Sequence, residues 1–208
     1  MSAAVARVAA MVTPEQLEAV LDEAELDWEA LTVVLVAGAT RDQVLTTLGA
    51  SPEPAALGDV DWDHASAYAV VEIAGGVLAL EHSGYADPSL DVLARLSSFG
   101  GSAAVARSNI KAQDRFGCAA DGEVVFDAAE YPFVEVEEKQ PLPSRLRPLF
   151  DTAWVDLDAP DDVEPEADPT LVAITMACDV TGLEPTVADL ERAREATYHQ
   201  VPVLTYLG

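Results

Sequence analysis

The sequence predicts an α+β protein: a mixed, mainly antiparallel sheet with helices packed around it in a single domain. Three observations predict it. Gly75-Gly76 and Asp121-Gly122 each sit between apolar runs of strand length, and such pairs suit tight hairpin turns because they accept positive φ. Four segments open like helices, at Thr13-Pro14, Thr40-Arg41, Asp87-Pro88 and Asp168-Pro169, and the first two carry Gln16 and Gln43 at the capping-box position. Half of the 208 residues are apolar, which is enough for one substantial core.

Taken in order, residues 14–25 form a helix with Leu17, Val20, Leu21 and Ala24 inward and Glu15, Glu18, Asp22, Glu23 and Glu25 toward water. Residues 28–37 read as a buried strand beginning at Trp28. The helix at 41–48 packs Val44, Leu45 and Leu48 and stops at Gly49. A Pro- and Asp-rich loop follows over 51–64, with Trp62 anchoring it to the body. Strands at 66–74 and 77–83 are apolar at nearly every position, so both sheet faces should be covered. Asp87 as N-cap and Pro88 open a helix over 88–98, with Leu90, Leu93 and Leu96 inward and Gly100-Gly101 ending it. Strands are expected at 103–109, 112–119 and 123–127, then an irregular segment from Tyr131. Helices are expected at 143–154, 169–181 and 187–197. Leu35, Val71, Leu78, Leu93 and Ile174 are expected to share one core.

The domain reading is a core over 1–155, an acidic, Pro-containing linker over 156–168, and a C-terminal helical segment with an apolar tail over 169–208, packed on the same domain. The tail cannot profit from lying free in water. Val203, Leu204, Tyr206 and Leu207 are its candidate partner contacts, on its own body or on another chain, and Pro202 suits an edge strand.

The net charge of -26 argues against a nucleic-acid surface, which needs Lys and Arg to release counterions. It also disfavours an anionic membrane leaflet. No apolar run reaches the roughly 18–20 residues that span a bilayer. Cys118 and Cys178 have no metal or redox spacing and read as reduced core residues of a cytoplasmic protein. The nucleophile elbow, the phosphate-binding glycine loop and the dinucleotide glycine pattern are all absent. His64, His82 and His199 are too scattered for a metal site. Asp156 and Asp158 fit the start of a calcium loop, but Pro160 and Asp161 occupy positions that need a ligand and a glycine. No cofactor, metal or catalytic residue is assigned.

One polar cluster stands out. Four of the eleven Lys and Arg residues fall between Arg95 and Arg115. Glu72, Glu81, His82, Tyr85, Arg107, Asn109, Lys111 and Arg115 form a candidate binding set, if the strands of Glu81 and Arg107 are neighbours. Structural ion pairing accounts for the same residues and is the favoured reading.

These motifs also carry a resemblance. Tyr68, Gly75-Gly76, Glu81, Gly84-Tyr85, Asn109, Phe116, Asp121-Gly122 and Thr181-Gly182 resemble the pattern of an uncharacterised actinobacterial domain family of unknown function, over about residues 27–197. The resemblance implies an intracellular α+β protein and supplies no catalytic residue.

The expected function is therefore a non-enzymatic acidic interaction protein, of immunity or inhibitor type, that masks a basic protein partner. A small-molecule binder or enzyme built on Glu81 and Arg107, and a structural subunit of a larger assembly, are the alternatives. A homo-oligomer is left open.

Overall fold

The computed structural model describes residues 12–28, 30–60, 65–111, 113–135, 137–139, 141–156 and 164–202. The tail contacts Val203, Leu204, Tyr206 and Leu207, together with Trp62, His64 and most of the acidic linker, lie outside these residues.

The strands are β1 (Leu31–Ala37), β2 (Ala65–Ile73), β3 (Gly76–Glu81), β4 (Ser102–Ser108), β5 (Arg115–Ala120), β6 (Glu123–Ala129) and β7 (Tyr198–Pro202). They make one sheet in the order β6-β5-β4-β1-β3-β2-β7, and all six pairings are antiparallel. The fold is a single α+β domain. Both glycine turns make the expected hairpins, β2–β3 and β5–β6.

The helices are α1 (Pro14–Glu23), α2 (Arg41–Leu48), α3 (Leu90–Ser97), α4 (Arg147–Ala153), α5 (Pro169–Thr181) and α6 (Val187–Glu195). Thr13 with Gln16 and Thr40 with Gln43 form complete capping boxes, each satisfying amides that the helix start leaves unpaired. Gly49 and Gly182 end α2 and α5 in the left-handed conformation.

Both faces of the sheet are buried, as its unbroken apolar strands require. On one face a row crosses six strands in register: Val71, Leu78, Leu35, Ala104, Cys118 and Phe126. Helix α5 lies over β4, β1 and β5 on this side, with α1 and α4 outside it. That sandwiching explains why Thr170 to Cys178 are buried on every side of the helix. On the other face, Val34, Val36, Tyr68, Val70, Val77, Ala79, Ala103 and Val105 pack with Val44 of α2 and with Leu93 and Leu96 of α3.

Four expectations change. Leu93 does not share a core with Leu35, Val71, Leu78 and Ile174, because α3 covers the opposite face. Leu90, expected inward on the same helix, is 48% exposed in its first turn. Asp87 does not cap α3; Ser89 does, accepting from the Val92 amide, and Asp87 is spent elsewhere. Helix α4 is shorter than the sequence suggests and begins at Arg147 without a side-chain cap. The chain from Tyr198 to Pro202 is the new edge strand, antiparallel to β2, and its proline sits where a missing amide costs least.

Candidate functional site

Two polar features meet at one end of the sheet. The first is a row on the α3 face. Glu81, Thr32, Arg107 and Arg115 are consecutive register partners on β3, β1, β4 and β5, with Tyr68 on the same face of β2. Two arginines directly opposite each other repel. Asp87, from the loop between β3 and α3, resolves this by pairing with both: its Oδ2 lies 2.9 Å from Arg107 Nη1, and its Oδ1 accepts from Arg115 Nη1. Arg115 also pairs with Asp127 at 2.7 Å and donates to the Pro88 carbonyl at 2.8 Å. Gly117 leaves the space that Asp127 fills: a Cβ there would overlap the Asp127 carboxylate. The four charges alternate, sum to zero and are largely buried, with the Asp87 side chain only 2% exposed.

The rest of the row fastens the same loop. Thr32 Oγ1 and Tyr68 Oη both donate to the Ala86 carbonyl, at 2.8 and 3.3 Å. Glu81 accepts from Ser66 Oγ at 2.8 Å, the Ser83 amide at 3.0 Å, and the Ser83 hydroxyl. Burial pushes the Tyr68 phenol well above its ordinary range, and the nearby Glu81 charge adds to the effect. Gly84 has a positive φ and seats its backbone on the Ser108 carbonyl, where a Cβ would collide.

Of the candidate binding residues, the structure therefore brings Glu81, Arg107 and Arg115 into one row, but joins the arginines through Asp87. Glu72 sits at the far end of β2, where it accepts from the Arg41 amide. His82 is half-buried against the Tyr198 ring at 5.7 Å, and burial lowers its pKa. Tyr85 and Lys111 are exposed. Asn109 shapes the β4–β5 loop: its Oδ1 accepts from the Lys111 and Gln113 amides, at 2.9 and 3.3 Å. Among the described residues no group of three or more His, Cys, Asp or Glu is placed to hold a metal ion. No helix among them is long and apolar enough to cross a membrane.

The second feature is a cleft of ≈ 580 Å³ where the sheet end meets the start of α5. Its walls include Trp28, Ile110 and Phe133, and its acids are Asp27, Asp114 and Asp168. Ile110 is 77% exposed and Phe133 44%, unusual for large apolar side chains in so acidic a chain. Asp114 is the buried acid. Thr170 Oγ1 donates to its Oδ1 at 3.3 Å and Ser108 also bonds to it. Asp168 is committed to the Leu171 amide as the cap of α5. Tyr131 ties the wall together, donating its hydroxyl to the Pro169 carbonyl at 2.6 Å and its amide to the Asp114 carbonyl.

The model of a family of unknown function, DUF6461, matches residues 19–203. The chain belongs to the DUF6461 family. The match extends past both ends of the stretch recognised from sequence motifs and takes in the edge strand β7. Neither a curated protein nor a solved structure gave a match. The glycines and polar residues behind the resemblance hold this DUF6461 chain's fold: Gly84 admits the loop to Ser108, Glu81 fastens it, and Asn109 shapes the turn that leads to Asp114.

Burial raises the Asp114 pKa above its ordinary value of 3.8, and the Asp168 charge adds to the rise. A carboxyl whose folded pKa is raised stabilises the fold at acid pH, and that contribution is lost as pH rises through the folded value. Asp114→Asn should therefore raise the melting midpoint at neutral pH, with the gain shrinking below the unfolded pKa of about 3.9. Melts across that range check it; an unchanged or lowered neutral midpoint would show that the hydroxyl bonds outweigh desolvation.

Proposed function

We propose that this protein is a non-enzymatic acidic interaction protein, of immunity or inhibitor type, that covers a basic protein partner. One observation carries the reading: among the described residues most Lys and Arg bond to the protein's own groups, exposed Lys111 being an exception, while a run of carboxylates faces outward. Arg107 and Arg115 are buried with Asp87 and Asp127. Lys139, Arg145, Arg192 and Arg194 pair with Asp151, Asp179, Asp189 and Glu25. Arg41 bonds to the Val70 carbonyl and to His199. By contrast, Glu15, Glu18, Asp22 and Glu23 are all exposed on α1, which has no basic residue in its last turn. The field of a chain with net charge -26 is thus left for a partner, and such fields speed association and set its salt dependence.

A small-molecule binder or enzyme at Glu81 and Arg107 has less support, since Glu81 is 0% exposed and Arg107 8%, and both are engaged with the protein itself. A cytoplasmic, actinobacterial setting fits the composition and the two free, buried cysteines, whose thiols are pushed up to about 11 and about 12 by burial.

Affinity capture from the native host at low and high salt tests the proposal. A basic protein should be retained at about 50 mM salt and released at about 500 mM, where the Debye length falls to a few ångströms. Capture of nothing, or of a neutral or acidic protein that resists salt, would refute it.

A further inference from the structure

The Trp28–Asp114–Phe133 cleft combines features that the general surface charge does not explain. Exposed apolar side chains are gathered at its rim, and a nearly buried carboxylate lies within it. Asp114 is only 8% exposed and has hydroxyl donors but no cation within ion-pair distance among the described residues. The buried ion pairs beside it serve only from a distance: the Arg107 charge favours the Asp114 carboxylate, but its guanidinium is bonded to Asp87. Carboxylates this buried are normally paired with a cation. A carboxylate held in a costly environment inside a cleft is a candidate for binding a ligand.

The start of α5 does not reverse this chemistry. Asp168 already accepts from the Leu171 amide and Pro169 has no amide to offer, so the helix end adds no anion site. Asp27 adds a further carboxylate to the lining, and exposed Asp156 and Glu164 adjoin lining residues Val155 and Pro165. A second copy of this chain is a poor occupant, because it would bring the same net charge of -26.

Building on the proposed acidic-interaction role, we propose that this cleft is the specificity pocket: it takes one arginine or lysine side chain of the partner, flanked by apolar residues. The cation would pair with Asp114, an arginine preferentially, because its planar fork matches a carboxylate. Trp28 and Phe133 offer ring faces for its flat group or for the apolar flank. Ile110 supplies apolar contact at the rim. The remaining surface carboxylates then steer the partner, and the cleft selects it.

The test uses the full chain, labelled with ¹⁵N, and the peptide acetyl-Gly-Leu-Arg-Phe-Gly-amide in an NMR titration. Amide shifts should centre on Trp28, Ile110, Asp114, Phe133 and Thr170. Citrulline in place of the peptide's arginine, or serine in place of its leucine and phenylalanine, should weaken binding at least about tenfold. Asp114→Asn and Phe133→Ser should do the same, while Glu18→Gln on α1 should leave affinity within about twofold. Because Asp114→Asn is expected to be the more stable protein at neutral pH, loss of binding there is not loss of fold. Equal binding of the citrulline peptide, equal effects of Asp114→Asn and Glu18→Gln, or no shifts at millimolar peptide would each overturn the pocket. Salt-sensitive capture of a basic partner would survive any of those results, so failure of the pocket is separable from failure of the broader role.

Discussion

Asp87→Ala is expected to cost about 3–5 kcal/mol of folding stability, the usual range for removing one partner from a buried ion pair. Arg107 then loses its only ion-pair partner among the described residues, with its side chain just 9% exposed. Arg115 keeps Asp127, so the cost falls mainly on Arg107 and on the repulsion between two arginines that face each other across β4 and β5. Urea denaturation should show a lower midpoint with an unchanged slope. The double variant Asp87→Ala with Arg107→Met should recover part of the loss, with a coupling of about 1 kcal/mol or more. Amide exchange should quicken first in residues 82–88, which the row of Tyr68, Thr32 and Glu81 holds down. A cost below about 1 kcal/mol would mean that the charges behave as a solvated surface pair.

The same residues show why much of the fold is legible in sequence and the site is not. Capping boxes and glycine turns are local signals, and their pairings close within a few residues: Thr13 with Gln16, Thr40 with Gln43, Ile73 with Gly76. The hairpins and the capped helices can therefore be placed with near-correct ends, whereas α4, with no side-chain cap, starts at Arg147 and not at 143. Strand order is not local. That β1 runs between β3 and β4 is what brings Glu81, Thr32, Arg107 and Arg115 into a row, and no spacing in the chain announces it. Asp87 illustrates the cost. Its Asp-Pro neighbourhood has every mark of a helix cap, yet its carboxylate goes to two arginines 20 and 28 residues away, and Ser89 takes over the cap.

The concentration of Lys and Arg between Arg95 and Arg115 is answered by two carboxylates: Asp127 lies in the same β5–β6 hairpin as Arg115, but Asp87 reaches Arg107 and Arg115 only through the strand order. Asp114 and Phe133 gave no signal at all. Asp114 sits in a loop where an exposed Asp would be ordinary. Its carboxylate instead accepts from Thr170 at the start of α5, 56 residues later, a contact that no local spacing announces. The edge strand β7 was legible only in part. Its proline and apolar composition pointed to a docked extended segment, and five residues are too few to say which strand receives it.

Leu78→Ala is expected to cost about 2–5 kcal/mol, in the upper half of that range. Leu78 is 0% exposed and lies between Leu35 and Val71 in register, under the helix α5 side of the sheet. A cavity shrinks when its walls can move inward, and here they cannot move easily. Strands β1 and β2 on either side are fixed at ladder spacing by hydrogen bonds to β3. On that side α6 packs on β2 and β3 and against α1. The opposite side of β3 is packed as well, with Val77 and Ala79 in the second core, so the strand has no solvated face toward which it could relax. Leu90→Ala is the matched control. It removes the same atoms from a side chain that is 48% exposed on α3, and the better helix former should hold the change within about 0.5 kcal/mol. Thermal and urea unfolding of the two variants should therefore separate widely. Similar midpoints would show that β3 is not the centre of a two-sided core.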